Sequence, residues 1–399
     1  MKVNFSKLVM GLFLMVLFLL PFSRLSELPI LFLSIMGIIG LINQRKSLVK
    51  NKSFTTLSVV YFCYLSMILF SATDSYWQNK TLLVAVASLR FYFSSVALLL
   101  YLRQEHFEWL IKLMAALMIL WSFDAILQYF IGVDLIGRSS YEGRLNGIFG
   151  EHHAKLGPVL ALFLPTVMIA LKIHKPIIRW VLTLAIIITI ILSGTRSAWI
   201  MMLFTLIAYW LHHVKQRRFI LLFKSFIATV VLITSLWLIS PEFKQRIDRS
   251  LTAFDGSQTG LDHALADRLP IWSASLSMIQ KHPINGVGAH AFRKAYPHFA
   301  SDGDIWQKNG GVGMHAHHWF LEILSDTGFI GLMLFGFALM KLTQFIRTHY
   351  NGDYSWVFLI ALTSAFFPIT STYSIFASFW SICLWFCGTG LLVMSKRND

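Results

Sequence analysis

Apolar runs of roughly the 20 residues that a helix needs to cross the hydrocarbon core of a bilayer alternate along the chain with short polar breaks. They lie near 6–22, 27–43, 55–72, 82–102, 108–131, 155–173, 177–195, 197–213, 219–240, 319–346, 354–373 and 375–395. A backbone in lipid must satisfy its own hydrogen bonds, and a helix does so within one segment, so the pattern predicts about twelve membrane-spanning helices. With the N-terminus in the cytoplasm, Arg45, Lys46, Lys50, Lys52, Arg103, Lys172, Lys175, Arg179, Lys215, Arg217, Arg218, Arg347, Lys396 and Arg397 all fall on the cytoplasmic side. That is the bias of Lys and Arg expected of short cytoplasmic loops. Lys2 and Lys7 before the first apolar run resemble the start of a signal peptide, but further runs follow with no convincing cleavage site, so the segment is read as the first span.

The same alternation leaves two sizeable outer segments, at about 132–154 and at about 241–318. Long loops escape the charge rule, so basic residues in the second need another explanation. That loop predicts a helix over 264–282, stopped by His282-Pro283-Ile284-Asn285-Gly286-Val287-Gly288, with Trp272, Leu276 and Ile279 making one apolar face. No fixed-period repeat or low-complexity tract is present. The chain therefore divides into residues 1–240, membrane helices joined by short loops; 241–318, the large outer loop; and 319–399, the closing membrane helices.

Composition agrees. Of 399 residues 56% are apolar and 13% charged, too little polar surface for a water-soluble domain. The net charge of +15 would suggest a nucleic-acid partner in a soluble protein, but here the basic residues mark topology. Cys63, Cys383 and Cys387 sit inside apolar runs and suggest neither a disulfide framework nor a metal site.

Three places combine charge with a membrane boundary. Ser193-Gly194-Thr195-Arg196 puts an arginine at the outer end of a span, where it either snorkels to lipid phosphates or is aimed by the tight turn. Asp267-Arg268-Leu269-Pro270 opens the loop helix, where Arg268 either pairs with Asp267 or presents its planar fork to phosphate oxygens. His315-Ala316-His317-His318, followed by Glu322, Asp326, Gly328 and Gly331, lies where the chain re-enters the membrane, and a histidine there can act as base or acid. The spacing of these groups fits neither a zincin helix nor a Cys-rich site, so no metal is expected.

From His317, the order His, one polar residue, nine residues, Gly, two residues, Gly resembles the signature of the O-antigen ligases. Arg268, Trp272, the run from His282 to Gly288, the Gly-Thr-Arg turn at Arg196 and the stretch Gly143 to Gly150 resemble the same superfamily, which includes O-antigen polymerases and bacterial O-linked oligosaccharyltransferases. The resemblance covers about residues 140–335. His318 stands where the family usually has Asn, Ser or Gln, which leaves either His317 or His318 as the working histidine, and Leu332 replaces the signature's final Thr.

The resemblance implies an all-α polytopic membrane protein of GT-C-like glycosyltransferase architecture, with one large, partly helical periplasmic loop. The implied activity is transfer of a glycan from an undecaprenyl-diphosphate-linked O-antigen donor to a sugar hydroxyl of lipid A-core, at the periplasmic face of the inner membrane. It implies His317 on the acceptor hydroxyl, Arg196 and Arg268 on the diphosphate, inversion at the anomeric carbon, and neither cofactor nor metal. Arg138 and Arg144 are candidates for the anionic acceptor, or solvated surface charges. Glu322 either orients a histidine or pairs with an arginine. Arg90 and Asp124 lie at similar depth in adjacent spans; they are expected to pair, with contact between Arg90 and a substrate phosphate as the alternative.

The nearest competing reading is an O-antigen polymerase, which often carries an Arg, fifteen residues, Gly spacing in its outer loops; no arginine of either outer loop here meets it. Protein O-oligosaccharyltransferases are usually longer, and a lipid-linked-sugar flippase would place paired, interrupted helices and charges at the midplane.

Overall fold

The computed structural model describes residues 5–140, 144–150, 154–213, 234, 237–238, 240–308, 314–368 and 373–395. Among these residues the protein is all-helical, its only β pairing an isolated bridge between Val133 and Ser139. The apolar runs become α1 (Phe5–Phe18), α2 (Glu27–Leu48), α3 (Lys52–Ser71), α4 (Gln78–Tyr101), α5 (Phe107–Ile131), α6 (Leu156–Ala170), α7 (Pro176–Leu192) and α8 (Arg196–His213). The run near 219–240 lies largely outside the described residues. Among the described residues, six helical stretches, Arg24–Leu48, Lys52–Ser71, Gln78–Tyr101, Gln104–Ile131, Leu156–Ile173 and Trp319–His349, are long and apolar enough to cross a membrane, and α1 and α7 are shorter apolar helices. The chain is an all-α polytopic membrane protein.

The large loop carries α9 (Pro241–Leu251), α10 (Gln258–Ala264), α11 (Leu269–Lys281) and the one-turn α12 (Phe292–Ala295) and α13 (Ile305–Lys308). The chain returns through α14 (Trp319–His349), α15 (Gly352–Ala365) and the short apolar α16 (Ser378–Met394). The loop helix begins later than expected. Ala266 and Asp267 have φ of 60° and 58°, which breaks the helix, and the side chain of Asp262 accepts from Leu269 N–H at 2.9 Å to start the new one. Pro270, well suited to a first turn, fixes that start. Its buried face also differs: Ile271, Ala274 and Met278 face a core with Val287, Phe292, Tyr296 and Ala316, whereas Leu276 is 52% exposed. Both stripes have helical spacing, and the core beneath chooses between them.

The fold comprises two compact units, one of residues 1–114, 270–362 and 371–399, the other of 115–269 and 363–370. In the first, α4 packs on α2 and α14 runs along α3. The helix α14 is broken at Gly328 (φ 63°, ψ −166°), and the loop after α11 passes through the break. Val287 and Gly288 N–H donate to the carbonyls of Ser325 and Asp326 above it, while Phe329 and Ile330 N–H donate to the carbonyls of Pro283 and Ile284 below it. Backbone groups orphaned by the break are thus satisfied by another backbone. A Cβ on Gly328 would lie 2.3 Å from the Ile284 oxygen, so the crossing leaves no room for a side chain there.

In the second unit, every residue of α6 is buried, and it packs against α7 and α8. The shorter outer loop is tied down by α5: Asp124 accepts from Leu135 and Ile148 N–H at 2.8 and 2.6 Å, and the Gln128 side-chain oxygen accepts from Asn146 and Gly147 N–H at 3.2 and 3.0 Å.

Candidate active site

In the second unit, arginines from four segments converge. The link from α7 to α8 turns at Gly194, whose φ of +66° suits glycine and whose missing Cβ leaves room for the Arg246 guanidinium. Arg246 donates to the Gly194 carbonyl at 2.8 Å. Arg196, the first residue of α8, does not extend outward as a snorkelling residue would; its guanidinium donates to the Ala264 carbonyl and, at 3.4 Å, to Ser250 Oγ. Arg268, just ahead of α11, is held down to about 10, first by burial and then by the positive fields of Arg196, Arg144 and Arg249. It remains a cation at neutral pH, crowded by its own kind.

Asp267 does not neutralise Arg268. It pairs instead with Arg249 of α9 at 2.8 Å, and Arg249 also donates to the His263 carbonyl at 2.7 Å. Ala266 and Asp267 both have left-handed backbone just ahead of Arg268. Arg144 enters beside Leu145, whose N–H donates to the Leu192 carbonyl at the end of α7. Arg138 braces the outer loop by donating to the Ile148 carbonyl at 3.0 Å. Sequence reading missed Arg246 and Arg249; their spacing of three on α9 is the signal that would have placed both on one helix face.

In the first unit lies the histidine segment. Trp272 of α11 donates its indole N–H to the Ala316 carbonyl at 3.1 Å, and Ala316 is fully buried in the loop core. The next residue, His317, has φ of +52°, a left-handed conformation uncommon for a side-chain-bearing residue. Its ring lies 3.9 Å, centroid to centroid, from that of His315. His318 has extended backbone (φ −154°, ψ 115°), caps α14, and faces the Trp272 ring edge-on at 6.2 Å.

Two expectations for charged residues are corrected. Arg90 and Asp124 do not pair: Arg90 bonds Glu27 of α2 at 2.6 Å and Ser378 of α16 at 2.8 Å, while Asp124 receives the two backbone N–H groups already described. The N-terminal carboxylate of α2 supplies the counter-charge that a guanidinium in lipid requires. Glu322 takes neither a histidine nor an arginine; buried in α14, it accepts from Ile375 N–H at 3.2 Å and so holds the segment entering α16. Four residues on, Asp326 accepts from His290 N–H at 3.0 Å. His290, with φ of +62°, is held down to about 4 by burial, with Arg293, Lys80 and His315 adding to the effect.

Among the described residues, no group of three or more His, Cys, Asp or Glu side chains is arranged to hold a metal ion. The arginine-rich unit can receive a polyanion, and the histidine segment can accept a proton.

Residues 181–336 match the family model described as O-antigen ligase. That stretch contains Arg196, Arg246, Arg249, Arg268, Trp272, His317, His318, Glu322, Gly328 and Gly331, while Arg90, Arg138 and Arg144 lie outside it. Comparison with curated proteins gives no match. Residues 181–336 thus form a domain of the O-antigen ligase and polymerase superfamily.

Proposed function

We propose that this protein is an O-antigen ligase, transferring a glycan from undecaprenyl diphosphate to a sugar hydroxyl of lipid A-core on the periplasmic side of the inner membrane. The observation that carries this reading is the crowding of Arg196, Arg144 and Arg249 around a half-buried Arg268, where the neighbouring carboxylate of Asp267 is bonded to Arg249. Cations gathered in this way suit a site that receives a diphosphate and stabilises it as it leaves.

In this reading His317 accepts the proton of the acceptor hydroxyl. The hydroxyl oxygen bonds to the anomeric carbon as the bond from that carbon to the diphosphate oxygen breaks, and the electron pair leaves with the diphosphate toward Arg196 and Arg268. Direct displacement inverts the configuration and forms no covalent enzyme intermediate. His317 is preferred to His318 because its left-handed backbone is the strained one, and the Trp272 bond to the preceding carbonyl holds that strain in place. His318 then borders the site. Arg144 adds to the field on the diphosphate, and Arg138 meets the acceptor's anionic groups. Arg90 and Glu322, engaged with Glu27 and Ile375, take scaffold roles.

The test is complementation of a ligase-deficient Gram-negative strain that supplies matching core and lipid-linked glycan. The wild-type protein should restore glycan-capped lipid A-core on a lipopolysaccharide gel, and well-expressed His317→Ala should not. If wild type only lengthens glycans in a polymerase-deficient strain and never caps core, the protein is a polymerase.

A further inference from the structure

The second unit contains a cavity of about 190 Å³ at the outer ends of α5 and α7, lined by Gln128, Tyr129, Ser140, Leu145, Phe243 and Arg246 among others. The mechanism above does not use it. Its wall is continuous with the arginine cluster at two points. Leu145 follows Arg144 and is bonded to Leu192 at 3.3 Å; Arg246 donates to Gly194, two residues before Arg196. We propose that this cavity is the subsite for the sugar attached directly to the donor's diphosphate, an inference that rests on the diphosphate reading of the arginines.

Size, polarity and charge each narrow the occupant. Drug-sized ligands fill pockets of roughly 300 Å³ and upward, so this cavity holds a single small ring rather than an oligosaccharide or a polyprenyl chain. Gln128 is 2% exposed; its oxygen is taken by Asn146 and Gly147, and one amide hydrogen by the Arg138 carbonyl at 3.1 Å. An amide carries two such hydrogens, and the second can meet a sugar hydroxyl. A buried amide, Ser140 and Arg246 disfavour an acyl chain. Among the described residues of the lining, Arg246 is the one cation, which disfavours a second phosphate. Tyr129 and Phe243 offer ring surface to the apolar C–H face of a pyranose, and Phe243 is fixed by Trp199 at 5.4 Å between ring centroids.

The experiment measures binding of two lipids to the full-length protein in nanodiscs: undecaprenyl diphosphate, and undecaprenyl diphosphate bearing one N-acetylglucosamine. Wild type should bind the sugar-bearing lipid about tenfold more tightly. Ser140→Trp, which fills the cavity from its rim, should bring the ratio to about one, and Tyr129→Ala should reduce it about threefold. Retained binding of the bare lipid reports that each variant is folded. The proposal is overturned if wild type binds both lipids equally, if the ratio survives Ser140→Trp, or if that variant loses both lipids together. Failure of the diphosphate reading is separate: there, Arg268→Ala would bind bare undecaprenyl diphosphate as wild type does.

Discussion

The break in α14 and the arginine cluster are both regions of buried polarity, but they are completed in different ways. At the break, backbone answers backbone across Gly328, and Asp326 receives a main-chain N–H. Around Arg268, like charges face one another, and the carboxylate beside it is engaged elsewhere. Buried polar groups that find partners within the chain specify the fold; an accumulation of one sign of charge suits a partner of the opposite sign. Substitutions in the two regions should therefore fail differently.

The largest effect should come from the charged site. Arg268→Ala should lower glycan transfer by about 10²- to 10³-fold, the range for removing a group that stabilises a developing anion, while the purified variant melts near the wild-type temperature. Next comes the scaffold: Gly328→Ala forces a Cβ against the Ile284 oxygen at a positive φ and should cost about 3 kcal/mol of stability, visible as reduced thermal stability in detergent. An unchanged melting temperature would mean that the crossing loop is not held in the break.

Smaller is Trp272→Phe. It leaves the Ala316 carbonyl without its indole donor, a loss of about 1–3 kcal/mol, and should lower kcat about tenfold while donor affinity is kept. Rescue is not expected from Trp272→Tyr, whose hydroxyl is not placed where the indole N–H is. The smallest effect concerns pH. His290 is held down to about 4 in the fold from an ordinary 6.5, so below pH 6.5 the unfolded chain takes up a proton that the folded one refuses. Stability should fall by about 1 kcal/mol by pH 5.5 and be unaffected above 7. His290→Asn, which tolerates the left-handed backbone, should remove that slope.

Much of the fold was legible because lipid imposes a simple rule: runs such as 27–43 and 108–131 had to be helices, and they appear as α2 and α5. Partners were less legible. The apolar runs put Arg90 and Asp124 at a similar expected depth, but depth does not fix azimuth, and Glu27 and the loop backbone reached them instead. The loop helix could be expected from its period and stop signal, yet two stripes satisfied that period, and only the core around Tyr296 selected Ile271 over Leu276. Motif order singled out Arg196, Arg268 and His317 as candidates. Arg246 and Arg249 belong to no motif in the sequence, and their part emerged only when α9 brought them to Gly194 and Asp267.

The most direct test of the central claim separates anion binding from proton transfer in one purified system. Binding of the lipid-linked donor and single-turnover transfer to lipid A-core would be measured in proteoliposomes for wild type, Arg268→Ala and His317→Ala. The account predicts that His317→Ala binds donor with wild-type affinity and transfers nothing detectable, while Arg268→Ala loses donor binding. Transfer by His317→Ala at the wild-type rate, or undiminished donor binding by Arg268→Ala, would contradict it.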